Sequence, residues 1–128
     1  MRKTILLLVC LLGVTRTWGH LTDETLYQQL KDLQIQFPKI VLAQARLETG
    51  NYTSQLCRTK RNLFGLKGKK GYLSFKSYKE CIIYYKTHIQ NRYIGGDYYV
   101  FLKKIGYAKD PAYITKLKRI VQNLKILS

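Results

Sequence analysis

The run "PKIVLAQARLETG", Pro38 to Gly50, constrains this chain more than any other stretch. Pro38 suits the first turn of a helix, where its missing N–H costs nothing, and Gly50 is placed for a helix stop. Between them, Ile40 to Ala43 is apolar all round. A helix apolar on every side is a central one, so the rest of the chain has to be arranged to cover it. Glu48 stands out against that pattern. It lies in the last turn, where the negative end of the helix dipole disfavours its charge. Only 7 acidic residues occur in the chain, and one of them sits where a carboxylate is least at home. Desolvation and the dipole both raise the pKa of a carboxyl placed this way, which makes Glu48 a candidate proton donor. The plain alternative is an exposed glutamate past a frayed helix end.

The flanking sequence predicts more helices and one small hairpin. Leu26, Leu30 and Leu33 share a face of "TDETLYQQLKDLQIQF", with Thr22 as its N-cap. Gly65, Gly68 and Gly71 break helices, while Tyr72, Leu73, Phe75 and Tyr78 favour extended structure, so a hairpin turns at "GKKG". Ser77 and Glu80 have the spacing of a capping box for a helix through "CIIYYKTHIQ". Asp97 caps a short helix "YYVFLKKI" that stops at Gly106, and Asp110 caps the last helix, with Pro111 in its first position. The expected fold class is α+β, mostly helical. At 128 residues the chain supports one domain.

The first 19 residues read as a secretory signal peptide. A basic start (Arg2, Lys3) precedes an apolar run from Ile5 to Val14, with small residues near Gly19. The run is too short to span a bilayer comfortably. Cys10 invites a lipoprotein reading, but Val9 stands where a small residue is wanted. The expected organisation is therefore signal peptide 1–19 and mature domain 20–128, secreted or periplasmic. The chain carries 23 Lys and Arg against 7 Asp and Glu, and losing Arg2, Lys3 and Arg16 with the leader leaves it strongly basic. That balance implies a polyanionic partner, and export argues against intracellular nucleic acid. Cys57 and Cys81 remain after processing, and an even pair in an exported chain reads first as a disulfide. It would close a loop of roughly 25 residues around the hairpin, worth about 3 kcal/mol in the entropic model. The alternative is two buried thiols. With His88 as the one histidine away from the leader boundary, a zinc site lacks ligands. No cofactor or metal is expected.

Four motifs occur in order at close spacing: "AQARLETG", "NLFGLKG", "FKSYKECIIYY" and "GYAKDPAYITKL". Together they resemble glycoside hydrolase family 73, the flagellar and autolysin type of endo-β-N-acetylglucosaminidase, over about Pro38 to Val121. The resemblance implies a lysozyme-like fold with a short β-hairpin lobe beside a glycan groove. It also implies cleavage of the β-1,4 bond between N-acetylglucosamine and N-acetylmuramic acid, with peptidoglycan strands as partner. A monomer without stable membrane insertion is expected.

On that resemblance Glu48 matches the family's catalytic glutamate, as general acid, and Tyr107 matches a tyrosine of its site. Asn62, Phe64 and Gly65 match a segment at the groove mouth. Asn62 would bond sugar or hold its own loop, and Phe64 reads more readily as core than as a sugar platform. Tyr52, Tyr72 and Tyr93 lie near turns and are candidates for stacking on sugar faces. Tyr84, Tyr85, Tyr98 and Tyr99 fall on helices and are expected to pack the core. The hairpin carboxylate of several family members has no counterpart between Leu66 and Tyr78, and the capping box accounts for Glu80. Two-carboxylate chemistry therefore does not map on, which leaves assistance by the substrate's 2-acetamido group, or water placed by polar groups. Two other readings stand beside the enzyme. One is a non-catalytic peptidoglycan-binding domain on the same fold. The other is a cationic membrane- or nucleic-acid-binding protein, for which the last helix would set Ile114, Leu117, Ile120, Val121 and Leu124 opposite Lys116, Lys118, Arg119 and Lys125.

Overall fold

The computed structural model describes residues 21–126. The leader reading of 1–19 and the question of Cys10 lie outside those residues. Six α-helices and a hairpin follow in order: α1 Asp23–Asp32, α2 Pro38–Thr49, α3 Gln55–Lys60, β1 Lys67–Gly68, β2 Gly71–Tyr72, α4 Tyr78–His88, α5 Tyr98–Lys104 and α6 Tyr113–Gln122, with a 3-10 turn at Gln90–Arg92.

The central helix is α2. Val41, Leu42, Ala43, Gln44, Ala45 and Thr49 are all buried on it, and it packs against α1 and α6. Pro38 opens it, and Gly50 ends it in the left-handed conformation, its N–H on the Arg46 carbonyl. One hydrophobic cluster runs from Leu26 and Leu30 of α1 through α2 to Tyr85, Tyr98, Leu102 and Leu117. Truncating a fully buried leucine such as Leu42 in a cluster like this costs about 2–5 kcal/mol.

Local signals explain most element ends. The Thr22 hydroxyl accepts the Thr25 N–H, and the Asp97 carboxylate accepts from Tyr99 and Val100. The hairpin turns at Lys69 and Lys70, with Lys67 opposite Tyr72 and Gly68 opposite Gly71. Its strands are only two residues long, and Tyr78 begins a helix rather than extending the strand.

Two caps differ from expectation. Ser77 accepts the Glu80 N–H as foreseen, but the Glu80 carboxylate takes the Lys76 N–H, one residue short of the reciprocal box. Asp110, Pro111 and Ala112 form a turn in which Asp110 accepts from Ala112 and Tyr113, so α6 starts two residues later than the Pro111 signal implies. The expected Cys57–Cys81 disulfide is a correction as well. Both cysteines are free and buried. Cys81 Sγ accepts the Leu63 N–H at 3.3 Å, and Cys57 Sγ faces the Tyr78 hydroxyl at 3.7 Å. Each thiol is thus held in its own polar contact, and burial raises the pKa of both, that of Cys81 to about 12. Among the described residues no helix is long and apolar enough to cross a membrane, and no cluster of His, Cys, Asp and Glu could hold a metal.

Candidate active site

Glu48 sits in the last turn of α2 at the edge of a groove of about 660 Å³. One wall is the loop between α3 and the hairpin. There Asn62 is fully buried and bonds the loop to itself and to the segment after the hairpin: its Nδ2 donates to the carbonyls of Leu66 (2.8 Å) and Leu73 (3.0 Å), and its Oδ1 accepts from Leu66 (3.0 Å) and Phe64 (3.4 Å). This web presents Gly65 to the carboxyl. A Cβ on Gly65 would lie 2.6 Å from Glu48 Oε1 and 3.1 Å from its Cδ, and Gly65 also has φ of +65°. The position therefore demands glycine twice, for its backbone and for the space the carboxyl takes.

The carboxyl is half-buried, and its pKa is raised. Desolvation is the dominant cause. The Tyr113 hydroxyl and the Lys67 ammonium act in the opposite sense without cancelling it. Behind Glu48, one turn back on the same helix face, Gln44 is fully buried with its Nε2 on the Tyr113 oxygen at 3.2 Å.

The far wall comes from α4 and the segments on either side of α5. Tyr84, His88 and Arg92 repeat at four-residue spacing and all line the groove. The Tyr84 and His88 rings stack at 3.8 Å with 10° between their planes. Gly106, Tyr107 and Lys109 close the end, and Tyr72 reaches in from the hairpin. Among these lining residues Glu48 is the only acid, set among Lys67, Arg92 and Lys109.

The structure therefore sorts the expected site residues. Glu48, Gly65, Tyr72 and Tyr107 line one groove. Asn62 and Phe64 do not touch it: both are fully buried, Asn62 as the loop's staple and Phe64 packed 4.6 Å from the Tyr85 ring. Tyr52 is also absent from the lining. Its hydroxyl donates to Asp23 at 2.7 Å and its backbone N–H to the Thr49 hydroxyl, which holds it in the left-handed region at φ 70°. Tyr93 packs instead among Phe37, Tyr98 and Phe101. Tyr107 gives its proton to the Phe64 carbonyl at 2.6 Å, so toward a ligand its oxygen can only accept.

Sequence reasoning missed Tyr113, Gln44 and the Tyr84–His88–Arg92 row. Gln44 precedes Glu48 by four residues and so shares its helix face, a signal that was available. Tyr113 closes the same "GYAKDPAY" motif as Tyr107, and spacing alone does not say which tyrosine meets Gln44.

Comparison with curated proteins finds no match, and comparison with solved structures finds none either. A family model does match: Glucosaminidase, described as mannosyl-glycoprotein endo-beta-N-acetylglucosaminidase, over residues 24–126. That span takes in every described helix but the first residue of α1, the hairpin and the whole groove. With a mostly helical fold, a two-stranded sheet and a carboxyl at the groove edge, the chain belongs to the glucosaminidase family, as a glycoside hydrolase of the endo-β-N-acetylglucosaminidase type.

Proposed function

We propose that this chain is an exported peptidoglycan hydrolase that cleaves the β-1,4 bond between N-acetylglucosamine and N-acetylmuramic acid, with Glu48 as general acid. One observation carries the reading: a single desolvated carboxyl stands at the edge of an otherwise basic groove. Glycoside cleavage needs a carboxylic acid that keeps its proton until the leaving oxygen takes it. Burial of Glu48 favours that protonated form. The basic and then apolar leader supports export, and the chain acts as a monomer outside the cytoplasm.

The absence of another acid among the lining residues favours substrate assistance. The proton passes from Glu48 to the glycosidic oxygen as the C1–O bond breaks. The substrate's acetamido carbonyl oxygen closes on C1 to give a cyclic oxazolinium. Water then opens that ring and gives its proton to the Glu48 carboxylate. A groove lined with cations does not stabilise positive charge at the anomeric carbon, so that task falls to the substrate's own oxygen. The Tyr107 oxygen, limited to accepting, suits the acetamido N–H.

The same cations favour an anionic glycan over a neutral one. Muramic acid and its peptide stems carry carboxylates, which Lys67, Arg92 and Lys109 can meet. Binding to the wall should then weaken steeply as salt rises.

The test is digestion of purified peptidoglycan by the mature protein and by Glu48→Gln, with the fragments reduced by borohydride and read by mass spectrometry. Fragments ending in reduced N-acetylglucosamine, lost in the variant, are expected. Ends in reduced N-acetylmuramic acid would overturn the bond assignment. No fragments from a folded protein that still pulls down with the wall would favour the non-catalytic binding domain.

A further inference from the structure

On the far wall of the groove, His88 and Arg92 are each tied to the backbone four residues before them. The His88 Nδ1 lies 3.1 Å from the Tyr84 carbonyl oxygen and 2.9 Å from the Thr87 hydroxyl. A carbonyl only accepts, so Nδ1 carries a proton. The Thr87 hydroxyl shares its own proton between the carbonyls of Ile83 and Tyr84, and its oxygen accepts from the same Nδ1–H. The Arg92 Nε then donates to the His88 carbonyl at 3.2 Å. In both side chains the nitrogen nearer the main chain is used inside the protein. Among the described residues, His88 Nε2 and the two terminal nitrogens of Arg92 have no protein hydrogen bond, and neither ion pair includes Arg92.

This row is ordered before any ligand arrives. The Phe75 ring meets Tyr84 at 5.5 Å, and Tyr84 stacks on His88. Arg92 ends the 3-10 turn, in which the buried Gln90 clamps the Gln36 backbone, accepting its N–H at 3.1 Å and donating to its carbonyl at 2.7 Å. A long side chain already held in place loses less freedom on binding. An arginine held at Nε keeps the edge formed by its two terminal nitrogens open, and that edge matches the two oxygens of a carboxylate. The other cations of the groove are lysines, which offer a point charge without that fork. The Lys67 ammonium also lies 5.0 Å from the centre of the Tyr72 ring.

We propose that Arg92, set by this row, is a specificity-determining residue that grips a carboxylate carried by a muramoyl unit in the groove. Two sources share that chemistry: a carboxylate on the peptide stem, and the lactyl carboxylate of a unit whose peptide has been removed. The lactyl source would place this enzyme after an amide hydrolysis, because only that reaction frees the lactyl group. The inference rests on the groove being a peptidoglycan site. The grip is the same in the bound substrate and in the transition state, so its loss raises KM and leaves kcat.

The experiment titrates wild type, Arg92→Gln, Arg92→Lys and Lys103→Gln at fixed pH and salt with three probes. N-acetylmuramic acid carries a free lactyl carboxylate, N-acetylmuramoyl-L-alanyl-D-isoglutamine carries its carboxylate on the peptide, and the trisaccharide of N-acetylglucosamine is neutral. Binding is read by NMR from the groove amides and from the His88 ring, one of 2 histidines in the chain and the signal lost in His88→Gln. KM and kcat on peptidoglycan are measured alongside. An acidic probe should lose affinity about tenfold in Arg92→Gln and about threefold in Arg92→Lys, which keeps the charge without the fork. KM should rise in the same order with kcat unchanged. The neutral trisaccharide should change by less than about twofold, and Lys103→Gln, which removes a charge outside the groove lining, should bind all three as wild type does. Dependence on Arg92 for muramic acid alone assigns the lactyl source, and dependence for the dipeptide probe alone assigns the peptide. The proposal is overturned if neither acidic probe binds wild type, if both bind Arg92→Gln as tightly as wild type, or if Lys103→Gln weakens them as much. Fragments from wild type with no such dependence leave the glucosaminidase reading standing and sink the subsite. Dependence on Arg92 without fragments leaves the subsite and sinks the activity.

Discussion

Two consecutive stretches meet at the groove, Asn62 to Leu66 and Lys67 to Tyr72, and they are held in different ways. In the first, Asn62, Leu63, Phe64 and Leu66 are buried. Asn62 makes three hydrogen bonds inside the loop and a fourth to Leu73 beyond the hairpin, Cys81 Sγ takes the Leu63 N–H, and Tyr107 donates to the Phe64 carbonyl. In the second, every residue is exposed and the strands are two residues each. Both stretches act on Glu48, the first through the close approach of Gly65 and the second through the Lys67 charge. The difference separates two tasks. The fixed stretch sets where the carboxyl sits and how much water reaches it. The exposed stretch adds charge that can change without disturbing the position.

The largest effect should come from Gly65→Ala. The new Cβ forces the carboxyl or the loop to move, and at φ +65° alanine is strained as well. A displacement of the reacting group by about 1 Å can cost roughly a hundredfold, so kcat/KM should fall by that order. A fall of less than about twofold would break the contrast between the stretches. Asn62→Ala is next. It strands buried backbone groups of Leu66 and Leu73, and stability measured by urea unfolding should fall by about 2.5 kcal/mol.

Glu48→Gln sharpens the comparison through pH. The native carboxyl holds its proton at pH values where the unfolded chain has released it. The native state therefore loses stability as pH rises from the unfolded midpoint to the folded one. The variant lacks this loss and should be more stable than wild type at neutral pH, with the gain vanishing in acid, as read by thermal unfolding. The smallest effect belongs to Lys69→Ala with Lys70→Ala at the hairpin turn, within about 0.5 kcal/mol in stability. A large loss there would mean that the hairpin is structural after all.

What the sequence revealed was mostly local. Pro38 and Gly50 bound α2 as read, Thr22 and Asp97 cap their helices, and "GKKG" turns the hairpin, because each of these signals acts within a few residues. Glu48 was legible as an oddity because the helix around it is apolar. The roles of Asn62, Phe64 and Tyr52 were not, because each depends on what a distant segment brings. Leu73 completes the Asn62 web, Tyr85 covers Phe64, and Asp23 claims the Tyr52 hydroxyl. The cysteine pair was misjudged for a similar reason. Parity and compartment speak for a bridge, but the side chains' partners, Tyr78 and the Leu63 N–H, are tertiary facts. The row of Tyr84, His88 and Arg92 has helical spacing anyone can count, yet only the packing of α4 decides that this face meets the groove.

The protonation of Glu48 is where fold and chemistry join, and it can be measured without substrate. The chain has three glutamates, Glu24, Glu48 and Glu80, so a ¹³C-glutamate carboxyl titration gives three resonances, and the one missing in Glu48→Gln identifies the site. Desolvation against the Asn62–Leu66 loop requires a Glu48 midpoint above the ordinary glutamate value. A midpoint at or below that value would mean that water or Lys67 governs the carboxyl, and Glu48 could not hold the proton that glycoside cleavage asks of it.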